Sequence, residues 1–437
     1  MKTLRFIVVL AVAAVMASCL FQLEYFVGGS VTGLKGTGLV LEDNSRDDLR
    51  VNANGEFRFS SKVAKGDNYL VTVKTQPSNP AQTCTVHDGS GTMGKADVTS
   101  VVVKCSQAGR YAYVANQTAS TISAFSIDSA TGFLTPVPGS PFLSTGIAPV
   151  ALAIDPNGTF LYAAYNASNT VGVFSINDAT GALTVASFAI IAGASPAALA
   201  VDPTGRYLFV ANSGSNTVSV FALQNGAATP VSGSPFAAGN QPAGLQTDPS
   251  GNFLYVTDFS GAVSVLAIDG ATGELTRISG SPFGAGAGAA AIAMAPSGTL
   301  AYVANESAAT ISAYSVDTST GALTASGTPL STASAPRSIV VDPAGNFAYV
   351  TNVTSSGDVA TYAIAPSNGA LTLSSTAIAG SLPLGVAVDP SGQFVYTANQ
   401  GSGSVAVFTA DAATGALTAV AGSPFLAGAG ARAIAID

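Results

Sequence analysis

The sequence contains no tryptophan, a single histidine, three cysteines and four methionines among its 437 residues, and only 9% of it is charged. After Cys105 there is neither cysteine nor histidine, and after Lys104 there is no lysine. Zinc sites and covalently attached haem draw their ligands from Cys and His, so the stretch beyond residue 105 provides for neither. No phosphate-cradling glycine motif occurs, and no cofactor or metal is expected. Basic runs are missing too. With a net charge of −8, nucleic acid is excluded as a partner. Long apolar runs are equally scarce. The most prominent, residues 6–16, has 11 residues, well short of the roughly 20 that cross a bilayer as a helix.

That short run belongs to a leader. Lys2 and Arg5 flank its start and Met16-Ala17-Ser18-Cys19 ends it. A positive start, a short apolar centre and small residues before a cleavage point make a secretory signal. The last four residues resemble a bacterial lipoprotein box in which Cys19 takes the lipid, with Met16 where Leu is usual. An ordinary signal peptide with an incidental cysteine is the other reading. Leu20, not Asp, follows the cysteine, which in a Gram-negative source resembles the outer-membrane sorting pattern. The expectation is an exported, lipid-anchored protein of the bacterial cell envelope. Residues 1–18 are removed, and the N-terminal lipid is the only contact with the membrane. Export permits a disulfide between Cys84 and Cys105, which the chain-entropy picture values at about 3 kcal/mol. Two buried thiols are the alternative.

What the sequence has in quantity is glycine, 47 residues, and a motif that recurs seven times. It appears as Tyr113-Val114-Ala115-Asn116, as Tyr162-Ala163-Ala164-Tyr165-Asn166, as Phe209-Val210-Ala211-Asn212 and as Tyr255-Val256-Thr257-Asp258. It returns as Tyr302-Val303-Ala304-Asn305, Tyr349-Val350-Thr351-Asn352 and Tyr396-Thr397-Ala398-Asn399. Successive copies begin 46 to 49 residues apart, and a fixed period of that size marks a repeat architecture. Each period reads as four short strands. A small apolar strand leads through Asp-Pro-x-Gly, a turn in which Pro presets φ and Gly tolerates φ > 0, into the motif strand. A third strand such as residues 217–221 follows, then a turn such as Ala179-Thr180-Gly181 and a fourth strand, often closed by Gly-Ser-Pro-Phe. Four strands repeated seven times predict an all-β, seven-bladed propeller over residues 109–437. The ends complement each other. The chain finishes on a lone first strand, residues 431–437, and residue 109 opens a second strand with no first strand before it. The C-terminal strand is therefore expected to close the first blade and leave no open sheet edge.

These Tyr-Val-Thr-Asn repeats resemble the YVTN family of β-propellers, across all 329 residues of the repeat region. That family overlaps the lactonase-type propellers, which include 6-phosphogluconolactonase and carboxymuconate cyclase. Residues 19–106 lack the period. Their short alternating segments read as strands and resemble the small β-sandwich modules near the N-terminus of bacterial surface lipoproteins. His87 lies there and reads as a surface strand residue. This segment is near neutral, whereas the repeat region holds 15 acidic and five basic residues.

The resemblance also implies a site. In lactonase-type propellers a blade reads Gly-Pro-Arg-His, a strand, Pro-x-Gly, then Tyr-Val-x-Asn-Glu, and the His, Arg and Glu open the lactone. Here Pro336-Arg337 and Asn352 match, Ser338 replaces the His and Val353 replaces the Glu. An Asn-Glu pair, Asn305-Glu306, stands one blade earlier. Strand order puts Arg337, Arg432, Glu306 and Asp258 on one rim, where a carboxylate base and two guanidinium groups can act together. They are the candidate ligand-binding residues, and Arg337, Glu306 and Arg432 the candidate catalytic ones. Solvated rim charges are the plainer account of them. The repeated Asn and the Asp of Asp-Pro-x-Gly read as turn chemistry. The function expected is a binding or interaction scaffold for an envelope protein or a carbohydrate-like small ligand. The alternative is a sugar-lactone hydrolase with a rearranged site.

Overall fold

The computed structural model of the protein describes residues 23–34, 36–77, 82–107 and 110–437. The leader and Cys19 lie outside the described residues. The chain forms two compact units, residues 1–106 and 107–437.

In the first unit, two four-stranded sheets share one core. Gly55–Ala64, Glu24–Thr32, Val98–Gln107 and Gln82–His87 form one sheet; Asp47–Val51, Leu39–Asp43, Asn68–Thr75 and Ser90–Thr92 form the other. Alternation along the strands sends Val27, Val31, Leu39, Leu41, Phe59, Val71, Val101 and Val103 inward. This is the two-layer arrangement that buries the apolar face of each sheet. A disulfide joins Cys84 to Cys105 on neighbouring strands. His87 is half-buried beside the Thr85 hydroxyl, and burial, then the nearby Lys104, lowers its pKa.

In the second unit, seven sheets repeat one plan. Blade 2 shows it: an inner strand Pro149–Ile154, a second strand Phe160–Tyr165, a third Thr170–Ile176 and an outer strand Leu183–Ile191. The inner strands of blades 3 to 7 begin at Pro196, Pro242, Ala289, Pro336 and Pro383. Blade 1 takes its inner strand from the C-terminus. Ala431–Ile436 pairs antiparallel with Tyr111–Asn116, so that Ile434 faces Val114. Each inner strand touches the next around a closed circle. In blades 1, 3, 4, 5 and 7 the outer strand is split in two, and both pieces pair with the third strand. Where Gly-Ser-Pro-Phe makes the split, the serine hydroxyl takes over a ladder acceptor's role. Ser140, Ser234, Ser281 and Ser423 accept the N–H of Ala124, Val220, Val265 and Val407 at 2.8–2.9 Å.

The blades lock by one recurring contact. The glycine of each third-to-outer turn has φ between +68° and +81° and lies against the first residue of the preceding blade's second strand. Thus Gly132 faces Phe394, Gly273 faces Tyr207 and Gly321 faces Phe253. Behind it the motif tyrosines are fully buried, and Tyr113, Tyr255 and Tyr302 donate to the carbonyls of Gly181, Gly321 and Gly369 one blade on. The Asp-Pro-x-Gly carboxylates are buried as well, and Asp155, Asp202, Asp248, Asp342 and Asp389 accept backbone N–H groups across their own turns at 2.5–2.9 Å.

A Cβ at Gly321 would lie 2.5 Å from the Phe253 ring, whereas one at Gly327, with a similar φ of +80°, would meet nothing within 4 Å. Gly327→Ala should therefore cost about 1 kcal/mol in backbone strain alone. Gly321→Ala should cost roughly 1–3 kcal/mol more, from overpacking between blades. Urea unfolding of the two variants measures the difference, and equal midpoints would contradict the locking role.

Candidate active site at the channel mouth

In every blade the pairing of inner with second strand slips directly after the inner strand's first residue. Such a bulge re-aims the extra side chain. The residues at the slip are Val150, Ala197, Ala243, Ala290, Arg337, Leu384 and Arg432, and all seven line a cavity of about 210 Å³ in the central channel. Five are apolar and two are arginines. A second ring comes from the residue that follows each second strand: Gln117, Asn166, Ser213, Phe259, Glu306, Val353 and Gln400. Four of these, Gln117, Asn166, Ser213 and Phe259, line a wider cavity of about 390 Å³ together with Arg337 and Arg432.

The charged groups meet where the two rings adjoin. Glu306 Oε2 lies 3.7 Å from Arg337 Nη1, from the rim of the neighbouring blade; it does not itself line either cavity. Arg432 Nη1 donates to Gln117 Oε1 at 3.1 Å, and Gln400 Nε2 donates to the same oxygen at 2.9 Å. Burial, and then the like charge of Arg337, lowers the pKa of Arg432 to about 10, against the pull of Glu306. It remains a cation at neutral pH. The two linings carry two guanidinium groups and no carboxylate, and with Glu306 beside Arg337 the cluster has one net positive charge. That arrangement can hold an anion or stabilise an oxyanion as it forms.

Three of the four predicted rim residues, Arg337, Arg432 and Glu306, are thus brought together. Asp258 is not. It occupies the motif-Asn position, and that position points into its own blade. The carboxylate is 2% exposed and accepts from the Ser264 hydroxyl at 2.8 Å, with Arg277 beyond the same hydroxyl. The motif asparagines do the same work. Asn116, Asn212 and Asn305 donate to hydroxyls of the third strand, at Ser123, Ser219 and Ser312, and not to their own turns as the sequence suggests. In blade 2 the register puts Tyr165 in the motif-Asn position and shifts Asn166 into the second ring. Gln117 and Gln400 were not singled out by sequence reasoning. Their signal is positional, one residue beyond the motif Asn.

The family model "Lactonase, 7-bladed beta-propeller" matches residues 70–193, 185–286, 278–386 and 357–431. The chain belongs to this family. No curated protein matches it. Among solved structures, it is similar to a 6-phosphogluconolactonase candidate of Bacteroides uniformis, at 21% identity and TM-score 0.67 over 75% of this chain and 99% of that one. It is similar also to the periplasmic gluconolactonase of Pseudomonas aeruginosa, at 19% identity and TM-score 0.64 over 75% and 98%. The hydrazine synthase of Kuenenia stuttgartiensis shares the fold at 19% identity and TM-score 0.52 over 68% and 90%. At these identities the likeness is one of fold, and one fold serves several chemistries. Membership of the Lactonase family itself shifts the balance from the scaffold expected above towards the lactone hydrolase held as its alternative.

Burial raises the pKa of Asp258 to about 6, despite the Ser264 hydrogen bond and the field of Arg277. An unfolded Asp titrates near 3.9. The folded state therefore binds the extra proton between about pH 4 and 6, and stability present below about pH 4 is lost as pH rises through 6. Asp258→Asn, the residue that blades 1, 3, 5, 6 and 7 use there, should remove that loss, worth at most about 3 kcal/mol. Melting temperatures of both proteins between pH 4 and 7 test this. Parallel pH profiles would contradict the assignment.

Proposed function

We propose that the protein hydrolyses an anionic sugar lactone at the channel mouth. The observation that carries this reading is the meeting of Glu306 with Arg337 beside Arg432 on one rim. The family's carboxylate position is empty in blade 6, where Val353 stands, but the same ring position one blade earlier holds Glu306, close enough to serve Arg337. In the proposed reaction Glu306 takes a proton from water as the water oxygen bonds to the lactone carbonyl carbon. The carbonyl oxygen becomes an oxyanion facing the two guanidinium groups. When the carbonyl re-forms, the ring C–O bond breaks, and the departing alkoxide recovers the proton from Glu306. Water is consumed and the hydroxy acid leaves. An acidic product and an anionic substrate both suit a mouth with one net positive charge.

One observation favours binding without turnover. Ser338 replaces the family's His, and its N–H is engaged by the Thr351 hydroxyl at 3.2 Å. On that reading the same arginines hold a sugar acid and nothing follows. Hydrolysis of gluconolactone-type substrates, with the spontaneous rate subtracted, separates the two. Turnover above background should fall roughly 10²- to 10⁴-fold in Glu306→Gln and about 10²- to 10³-fold in Arg337→Ala or Arg432→Ala. No turnover in the wild type, with gluconate binding that Arg432→Ala abolishes, would establish the binding module instead.

We propose further that the protein works outside the cytoplasm, held to the cell envelope by lipid on Cys19, on the strength of the leader and the residues around that cysteine. Cys19→Ser should abolish incorporation of labelled fatty acid and shift the protein to the aqueous phase of a detergent partition. Unchanged labelling would contradict the anchor.

A further inference from the structure

Each outer strand has a residue at one shared register position, opposite the first residue of its third strand. Leu143 lies opposite Thr121, Ile191 opposite Thr170, Ile378 opposite Asp358 and Leu426 opposite Ser404. In blades 3, 4 and 5 the same position holds Ala237, Gly284 and Ser331. All seven are exposed, and alanine, glycine and serine serve there, so the fold does not call for a large side chain. Yet blades 6, 7, 1 and 2, consecutive around the ring, carry Ile378, Leu426, Leu143 and Ile191, each 81–83% exposed. Ile147, also well exposed, lies in the loop between blades 1 and 2. Single exposed aliphatic residues are ordinary on a protein surface. Here they occupy equivalent sites on one continuous arc and are replaced by small residues on the other.

We propose that this arc is a docking edge for a lipid bilayer. The chain segments that carry it, residues 138–150, 182–201, 366–388 and 412–431, contain no charged residue, so no charge in them resists transfer out of water. The one carboxylate in register with the arc, Asp358, accepts from Asn352. The side chains are branched aliphatics spaced one blade apart. A protein interface gathers aromatic and arginine anchors into a packed patch, whereas fluid acyl chains accept separate side chains without a matching shape. The propeller has no lysine, so its attachment rests on apolar insertion and favours zwitterionic lipid over anionic. The bilayer is within reach if Cys19 is acylated as proposed above, and stable anchoring takes more than one weak signal. The arc supplies the second, beyond the single lipid contact that the sequence leads one to expect.

The test places a reporter at each equivalent position. Leu143→Cys, Ile191→Cys, Ile378→Cys and Leu426→Cys, with Ala237→Cys, Gly284→Cys and Ser331→Cys as internal controls, are made singly in the full chain and labelled with a polarity-sensitive fluorophore. Cys84 and Cys105 are held in their disulfide, and any label on Cys19 is common to all seven. On adding phosphatidylcholine vesicles, the emission should move to the blue and brighten at the four arc positions and stay unchanged at the three controls. The same result in a chain whose Cys19 is not acylated would support the arc while removing the anchor. No shift at the arc in an acylated chain, or an equal shift at all seven positions, would overturn the proposal. A blue shift that needs no vesicles and grows with protein concentration would overturn it too, in favour of a second copy of the chain.

Discussion

The pairing of residues 431–436 with residues 111–116 is the contact on which the rest of the propeller depends. It joins the two ends of the propeller, more than three hundred residues apart in sequence, and closing so long a loop carries an entropy cost. Without it blade 1 has no inner strand and the circle of inner strands is open. With it, each turn glycine has a preceding blade to pack on, and the seven interfaces become equivalent. The same pairing builds the candidate site. Arg432 is on the closing strand and Gln117 follows the strand that receives it, so their hydrogen bond exists only in the closed ring.

The channel gains its character from how little charge it holds. Five of the seven bulge positions are apolar, and the two arginines stand in blades 6 and 1 with Leu384 between them. Each guanidinium has one partner of a different kind. Arg337 has a carboxylate and Arg432 a neutral amide. The first pair is close to balanced and the second is not, which leaves Arg432 as the group whose charge an incoming anion would answer. Its lowered pKa reports the same thing: burial and a like charge penalise the cation, and a bound anion would restore it.

Much of this was legible in the sequence. The 47-residue period, the turn signatures and the complementary ends give the seven blades and their closure, because each depends on local chemistry repeated many times. Arg337, Arg432 and Glu306 could be placed on one rim from strand order alone. The failures have one cause. Strand order says which end of a blade a residue occupies, but not which way its side chain leaves the strand. Asp258 and Glu306 are at adjacent positions of their repeats. The first turns into the blade and binds Ser264, and the second turns to the neighbouring blade's arginine. The bulge that aims Arg337 and Arg432 into the channel leaves no mark in composition, since Ala, Val and Leu occupy it elsewhere. Seen across all seven blades, it is the one inner-strand position at which arginine occurs.

The two rings at the mouth also separate what the molecule must conserve from what it can vary. Packing between blades runs through the turn glycines and the second-strand aromatics, none of which belongs to either ring. Fourteen positions, one bulge residue and one post-strand residue in each blade, therefore form a combinatorial surface on a fixed frame. A carboxylate placed one blade earlier along such a ring, as Glu306 is relative to Val353, still reaches Arg337. Seven near-identical addresses let a side chain at the mouth be relocated as well as replaced while the frame stays the same.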